Sequence, residues 1–396
     1  MITRFGTLYA GHVDFDDIGF DGPPVNSRRL ANERLAGALD KARAIAETMD
    51  RLGHDTLWLA EHHFQPEGYE CIPNILMLAV HLAHLTRRLR FGCGFNIAPM
   101  WHPLRLAEDF AVADILTGGR VAFGVGRGYH TREVETFGSP LLDQAANREL
   151  FEEQVEVLAK AFAEESFSHH GKHYTIPPRV PYRGYELERI SLVPRPTHRP
   201  VEWWQPIVSG SPAALDFMVR HGIKGVIGGG ATPGGAGDQT VTAWRDALAR
   251  HGRETALGTD VIIGFSYYVA PTVEQGIAEA TPIFEEHMKM FAPLGFVRGL
   301  SEEQVRATAD PVSARAGGLP TLRDAVRAGS WLIGPPEEII ERLRDVQAAY
   351  PGLEEVQIGQ PVGAPQRVIV EQLERFARDV MPAFRPAGTA GAAARS

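Results

Sequence analysis

Short runs of Val, Ile, Leu, Phe and Trp that are apolar on both faces recur along this chain, and longer amphipathic stretches separate them. "RFGTLY" (4–9), "DTLWLA" (55–60), "RLRFGCGF" (88–95), "RVAFGV" (120–125), "WWQPIV" (203–208), "IKGVIG" (223–228), "DVIIGFSYYVA" (260–270), "SWLIG" (330–334) and "EEVQIG" (354–359) read as strands. Helical patterns are expected at 33–52, 74–86, 103–116, 147–163, 213–220, 240–250, 273–290, 336–349 and 366–380. In the fourth of these, Phe151, Val155, Leu158 and Phe162 return at helical spacing and form one buried stripe. A continuously apolar strand is buried on both faces, as a parallel strand covered by helices is. About eight strand–helix repeats favour a closed (β/α)8 TIM barrel of the α/β class over an open doubly wound sheet, which stays as the alternative.

Two segments break the rhythm. Residues 166–202 are rich in Pro, His and aromatics and read as an excursion over one barrel end. Residues 293–330, rich in Gly, Ala and Arg, read as a long loop, and a loop of that length in a compact domain is usually a lid. The reading is therefore one barrel domain over 1–385, followed by a disordered tail at 386–396 with almost nothing to bury.

Charge and cysteine content exclude several function classes. A net charge of −9 with scattered Lys and Arg, apart from "TRRLR" at 86–90, offers no footprint for nucleic acid or an anionic membrane. Two cysteines, Cys71 and Cys93, are too few to staple the chain and have no zinc-site spacing, which fits a reducing cytoplasmic compartment. The start "MITRFGTLY" has no signal-peptide pattern, and no apolar run reaches membrane-spanning length.

In a parallel barrel, functional groups gather at the carboxyl ends of the strands. "LWLAEHHF" (57–64) is such an end, with Glu61, His62 and His63 following apolar residues. Successive strand residues face opposite ways, so His62 and His63 are poorly placed to grip one metal, and no metal is expected. Catalysis and hydrogen-bonded packing both stay open for them. In "GRVAFGVGRGYHTREVETFG" (119–138), a strand runs into Gly126, Arg127 and Gly128, where close backbone approach and a guanidinium suit a phosphate or carboxylate. An ordinary tight turn explains that feature equally well. In "PIVSGSPAAL", Ser209, Gly210 and Ser211 precede a helix opening at Pro212, and free N–H groups at such a start suit a phosphate, as plain capping also would. Two anion-friendly strand ends on neighbouring strands weigh more than either alone. The Gly-rich run 227–238 lacks a Gly-Lys-Ser/Thr ending and reads as a flexible loop.

Taken in order, "WLAEHHF", "GGRVAFGVGRGYHTREVETFG", "VSGSPAAL", "IGPPEEIIERL" and "FARDVMPAF" resemble the bacterial luciferase-like flavin-dependent monooxygenases, over nearly the whole chain. The resemblance implies a barrel that binds reduced FMN (FMNH2) at its strand ends, usually as a dimer. It implies dioxygen as co-substrate, activated as a flavin C4a-peroxide, and a separate NAD(P)H-dependent flavin reductase as partner. Carried over by position, it makes His62 the catalytic histidine near the flavin ring and Arg127 a phosphate contact. Ser209, Gly210 and Ser211 complete that phosphate site. Gly94 and Phe95 match a pair joined by a non-proline cis peptide under the ring, and Asn96, Gly128 and Tyr129 complete the cofactor-binding set. The 293–330 segment matches a loop that closes over the flavin. Gly126 departs from the pattern, since the luciferase catalytic chain carries a reactive cysteine there, which speaks against light emission from a long-chain aldehyde. Aromatics such as Tyr9, Phe95, Trp101 and Tyr129 suit a small hydrophobic substrate. The alternatives are F420-dependent hydride transfer on a related barrel and a non-catalytic partner subunit like the second luciferase chain.

Overall fold

A computed structural model describes residues 1–297 and 299–385. The strands are β1 (Arg4–Tyr9), β2 (Thr56–Leu59), β3 (Arg90–Cys93), β4 (Val121–Gly126), β5 (Trp203–Pro206), β6 (Ile223–Ile227), β7 (Val261–Val269), β8 (Trp331–Gly334) and β9 (Glu355–Gly359). Long helices lie between or after them: α1 (Asn32–Leu52), α2 (Ile75–Leu85), α3 (Pro103–Thr117), α4 (Gln144–Ala163), α5 (Pro212–Arg220), α6 (Ala236–Arg250), α7 (Val273–Phe291), α8 (Pro336–Ala349) and α9 (Gln366–Asp379). Their ends carry local stop and start signals. Gly53 closes α1 in the left-handed region, at φ 79°. The Asn74 side chain accepts from the Met77 N–H to open α2.

All strand pairs of the main sheet are parallel. The ring runs β1–β2–β3–β4–β5–β6–β7–β9 and back to β1, so eight strands close the barrel. Two further parallel strands lie outside that ring: the two-residue Asn96–Ile97, which pairs with Val125 and Gly126 of β4, and β8 in the apolar run at 330–334. For β8 the reason is the nine-residue length of β7: Ile262 to Ser266 bond to β9, which leaves Ser266 to Val269 to pair with β8.

Every residue of β2 and β4 is buried, as strands enclosed by helices on one face and barrel filling on the other must be. The barrel is filled by Trp58, Ala122, Trp204, Val226 and Ile262, with Phe95 packed on them. Glu355 of β9 is buried beneath and accepts the Trp58 indole N–H at 3.2 Å. Gly124 of β4 has no room for a side chain, because a Cβ there would lie 1.8 Å from the Cys93 carbonyl oxygen. At the other end the mouth is open: Leu8 is 40% exposed although it lies within a ring strand.

The excursion at 166–202 holds two short antiparallel hairpins, His169–His170 with Thr175–Ile176 and Val180–Tyr182 with Tyr185–Leu187. The expectation of a long structureless loop at 293–330 needs correction. That stretch contains three short helices, Glu302–Ala307, Pro311–Ala316 and Leu322–Arg327. Each is too brief for apolar periodicity to register, yet each has a cap: Ser301 with Gln304, Asp310 with the Ser313 N–H, and Thr321 with Asp324. The Gly-rich run also gives up its last residues to α6, which starts at Ala236 and not at 240. The tail at 386–396 lies outside the described residues. Among those described, no helix is long and apolar enough to cross a membrane.

Candidate active site at the barrel mouth

β2 delivers three polar side chains in succession, and they part company at once. The buried Glu61 carboxylate accepts the Ile97 N–H at 2.9 Å and the Trp101 indole N–H at 2.9 Å, so it ties the end of β2 to the loop after β3. His63 joins Glu61 through Nε2 at 3.0 Å and sets its ring against Phe137, with centroids 4.9 Å apart. His62 turns into a separate buried cluster built from two other loops.

In that cluster Nδ1 of His62 lies 3.2 Å from Oε1 of Glu133, which sits on a single helical turn at Thr131–Val134. Nε2 lies 3.2 Å from the Tyr129 hydroxyl and 3.3 Å from Oε1 of Glu70. The Tyr129 hydroxyl donates to Glu70 at 2.8 Å, His130 Nε2 meets the other Glu70 oxygen at 2.9 Å, and the Gln65 amide donates to Glu70 and Glu133 at 2.8 and 3.1 Å. Tyr69, beside Glu70 in the chain, is itself held by Arg28 and by Glu286 of α7. Burial and the Glu70 carboxylate push the Tyr129 phenol well above its ordinary pKa, so it stays a neutral hydroxyl. One ligand atom from each of His62, Glu70 and His130 falls within 4.8 Å of the others, a composition that a metal ion could also use. His62 therefore meets a second histidine after all, but it is His130 and not the adjacent His63. A cavity of about 290 Å³ opens beyond the cluster, lined by Pro24, Gln65, His130, Arg132, Met290 and Leu294 among others.

The peptide between Gly94 and Phe95 is cis, and Phe95 rests on the residues that fill the barrel. Asn96 is buried and donates from Nδ2 to the Gly124 carbonyl at 2.9 Å, while its Oδ1 has no partner among the described residues. A glycine is required at 128, where φ is +83° and a Cβ would meet Val134 at 2.6 Å.

Arg127 follows β4, Ser209 follows β5, and the two strands are hydrogen-bonded neighbours with Trp203 opposite Phe123. A cleft of about 90 Å³ between them is lined by Arg127, Arg148, Glu152, Gln205, Ser209 and Phe217, among others. Burial and the neighbouring Arg148 pull the Arg127 guanidinium below its ordinary pKa, with Glu152 pulling the other way. An anion between the two arginines would relieve that repulsion. Arg127 reaches Gln144 at 3.0 Å. Ser211 caps α5 without a side-chain hydrogen bond, so no side chain of the cap competes for the N–H groups at the helix start. The donor set fits a phosphate-bearing group.

The residues expected to form one cofactor site thus fall in three neighbouring places. Arg127 and Ser209 line the anion cleft, while Gly210 and Ser211 follow Ser209 in the chain and are not among its lining residues. Gly94, Phe95 and Asn96 form the shelf at the mouth. Tyr129 belongs to the His62 cluster. Sequence reasoning missed Arg148, which is one more polar residue on the first turns of α4, and it missed Glu70, His130, Glu133 and Gln65. Glu133 and His130 lie within the stretch 119–138, but nothing in spacing alone says that they fold back onto His62.

The family model for luciferase-like monooxygenases matches residues 23–351. The chain is 26% identical over 352 residues to 4-hydroxyprotoasukamycin monooxygenase of Streptomyces nodosus subsp. asukaensis, covering 86% of this chain and 85% of that one. It is 24% identical over 376 residues to the oxygenase component of flavin-dependent trigonelline monooxygenase from Acinetobacter baylyi, covering 91% and 94%. Its fold matches the oxygenating constituent of 3,6-diketocamphane monooxygenase from Pseudomonas putida, a type II Baeyer–Villiger enzyme solved with FMN. There the TM-score is 0.71 and the identity 16%, over 96% of this chain and 98% of that one.

Proposed function

The chain belongs to the luciferase-like monooxygenase family, and from that premise we propose that it is the oxygenase component of a two-component flavin system. It takes reduced FMN from a separate NAD(P)H:flavin reductase and uses dioxygen to oxidise a small hydrophobic organic substrate. It works in the cytoplasm as a homodimer and without a metal.

The observation that supports this reading most is the anion cleft. Arg127 at one strand end, Arg148 on α4 and an unblocked helix start after the neighbouring strand suit the phosphate of a mononucleotide. From that cleft the shelf at Gly94 and Phe95 offers an apolar bed for a planar ring. The buried, unpartnered Oδ1 of Asn96 is an acceptor for a ring N–H. Reduced flavin, when bound, supplies the electrons for oxygen activation. The chain's own part is placement, exclusion of water and proton handling. His62 and Tyr129 hold exchangeable protons at Nε2 and at the phenol oxygen, with His62 buried and Tyr129 partly so. The helices at 302–327 are the segment that closes over the mouth.

Turnover with reduced FMN, dioxygen and a panel of hydrophobic substrates, following hydrogen peroxide alongside product, tests the reading. Oxygenated product from the purified chain plus a reductase is expected. Anaerobic turnover with reduced F420 and none with reduced FMN would transfer the chain to hydride chemistry. Activity that appears only with a second, different chain would make this one a partner subunit.

A further inference from the structure

His62 lies between two buried carboxylates, one at each ring nitrogen. Nδ1 is 3.2 and 3.3 Å from the two oxygens of Glu133, and Nε2 is 3.3 Å from Oε1 of Glu70. A neutral imidazole has one N–H and one lone pair. With the proton on Nε2, the lone pair on Nδ1 faces both Glu133 oxygens; with the proton on Nδ1, the lone pair on Nε2 faces Glu70. Either tautomer leaves two acceptors pointed at each other between buried side chains, an arrangement that forfeits a hydrogen bond to a charged group. The Tyr129 hydroxyl has one proton and could relieve the second case only by withdrawing it from Glu70. It lies closer to Glu70, at 2.8 Å, than to His62, at 3.2 Å. The doubly protonated ring satisfies both sides together.

We propose that Glu70 and Glu133 are positioning residues that clamp His62 as an imidazolium through neutral pH, so that it serves the reaction as a proton donor and fixed positive charge, not as a base. This deepens the proposed function and rests on it only for the reacting partner. One oxygen atom of dioxygen enters the substrate and the other departs as water, taking one proton from Nε2 through the Tyr129 hydroxyl and its second from the reduced flavin; Nδ1–H stays on Glu133, and a proton from solvent restores the ring. The electrons come from the reduced flavin.

The groups facing the ring come from every element around it: Glu61 at the end of β2, Gln65 and Glu70 on the next loop, and Tyr129, His130 and Glu133 after β4. Behind Glu70, His287 of α7 is partly exposed, yet desolvation pushes it down to about 4, so it adds no charge at neutral pH. Burial opposes a charge on His62, but Glu70, Glu133 and Glu61 overcome it and raise its pKa. Against its own burial, Glu70 is pushed down to about 2 by His62, His130 and Tyr129, and Glu133 is held below the usual range by His62 and His130. Both jaws of the clamp are therefore ionised.

The test is a nitrogen-15 histidine NMR titration of the flavin-free chain between about pH 5 and 9. Both His62 ring nitrogens should keep imidazolium shifts at about pH 7, with a midpoint above that of an ordinary histidine; Glu133→Gln should lower the midpoint by about one pH unit or more, and Glu133→Asp should recover part of it. Glu70→Gln should lower the midpoint likewise and stands in if Glu133→Gln does not fold. A wild-type His62 that is neutral at pH 7, or a carboxylate-to-amide variant with an unmoved midpoint, would overturn the clamp. Flavin is absent from this measurement. A failed turnover assay beside an intact imidazolium thus rejects the function and leaves the clamp standing, and the reverse outcome does the opposite.

Discussion

The indole of Trp58 occupies the space that a side chain on Gly92 would need: a Cβ there would lie 2.2 Å from Cε3 of the ring. Trp58 of β2 and Gly92 of β3 are directly paired across the sheet, so the ring folds over its neighbour strand into the barrel. On that filling rests Phe95, and with it the shelf at the mouth.

Gly92→Ala should therefore destabilise the barrel by about 1–3 kcal/mol, the usual cost of overfilling a packed core, and should weaken flavin binding by displacing Phe95. Gly37→Ala is the matched control. Gly37 lies within α1 with nothing within 4 Å of its added Cβ, so the substitution should stabilise by about 0.5–1 kcal/mol. Urea unfolding of the pair checks both signs; equal effects would mean that the Trp58 contact does not matter.

The anion cleft predicts a selective loss. Arg127→Ala and Arg148→Ala should each weaken FMN binding by about 1.5–3 kcal/mol, the value of a hydrogen bond to a charged group. Riboflavin, which lacks the phosphate, should bind the variants as it binds the parent. Flavin fluorescence titration measures both, and parallel losses for the two flavins would remove the phosphate from this cleft.

His62→Gln keeps a polar group between Glu70 and Glu133 but cannot carry the charge. Product formation should fall about 10²–10⁴-fold, the range for a general acid or base, with oxygen consumption diverted to hydrogen peroxide and FMN affinity nearly unchanged. An unaltered product yield would take His62 out of the chemistry.

Two other histidines predict acid lability. His54 and His287 are each pushed down to about 4 by burial. In the unfolded chain each takes up a proton near its ordinary value of about 6.5. Between those two values the unfolded state binds more protons, so stability rises with pH across the window and is lost as pH falls from about 6.5 to 4. The slope reaches about 1.4 kcal/mol per pH unit for each histidine. His62 runs the other way: what its charge contributes is complete below about 6.5 and is lost as pH rises through its raised value. Urea midpoints at about pH 7.5, 5.5 and 4.5 should fall in that order, and His54→Gln should flatten the fall. A variant as steep as the parent would assign the lability elsewhere.

The alternation of strands and helices was legible because apolar patterning is local. α8 lies where its periodicity puts it, and most other helices begin and end within a few residues of expectation. The failures were equally physical. Nothing in "SWLIG" says that the longer β7 would already have given its first half to β9. The three helices at 302–327 are announced by caps alone, with no apolar stripe long enough to read. The start of α6 hides in a glycine-rich run that argues against a helix.

By itself the sequence determined the barrel, the strand ends where chemistry gathers, and the choice of His62, Arg127 and Ser209 as residues standing there. The tertiary structure alone decided their company. His62 and Glu133 are 71 residues apart, and they meet because the loops after β2 and β4 bend over the same quarter of the mouth. Arg148 reaches the cleft because α4 begins beside Arg127. Charge states follow from such meetings, since a carboxylate shifts a histidine only within a few ångströms and away from water. One-dimensional order carries the residue types, and the closed barrel supplies the distances that give them their protonation.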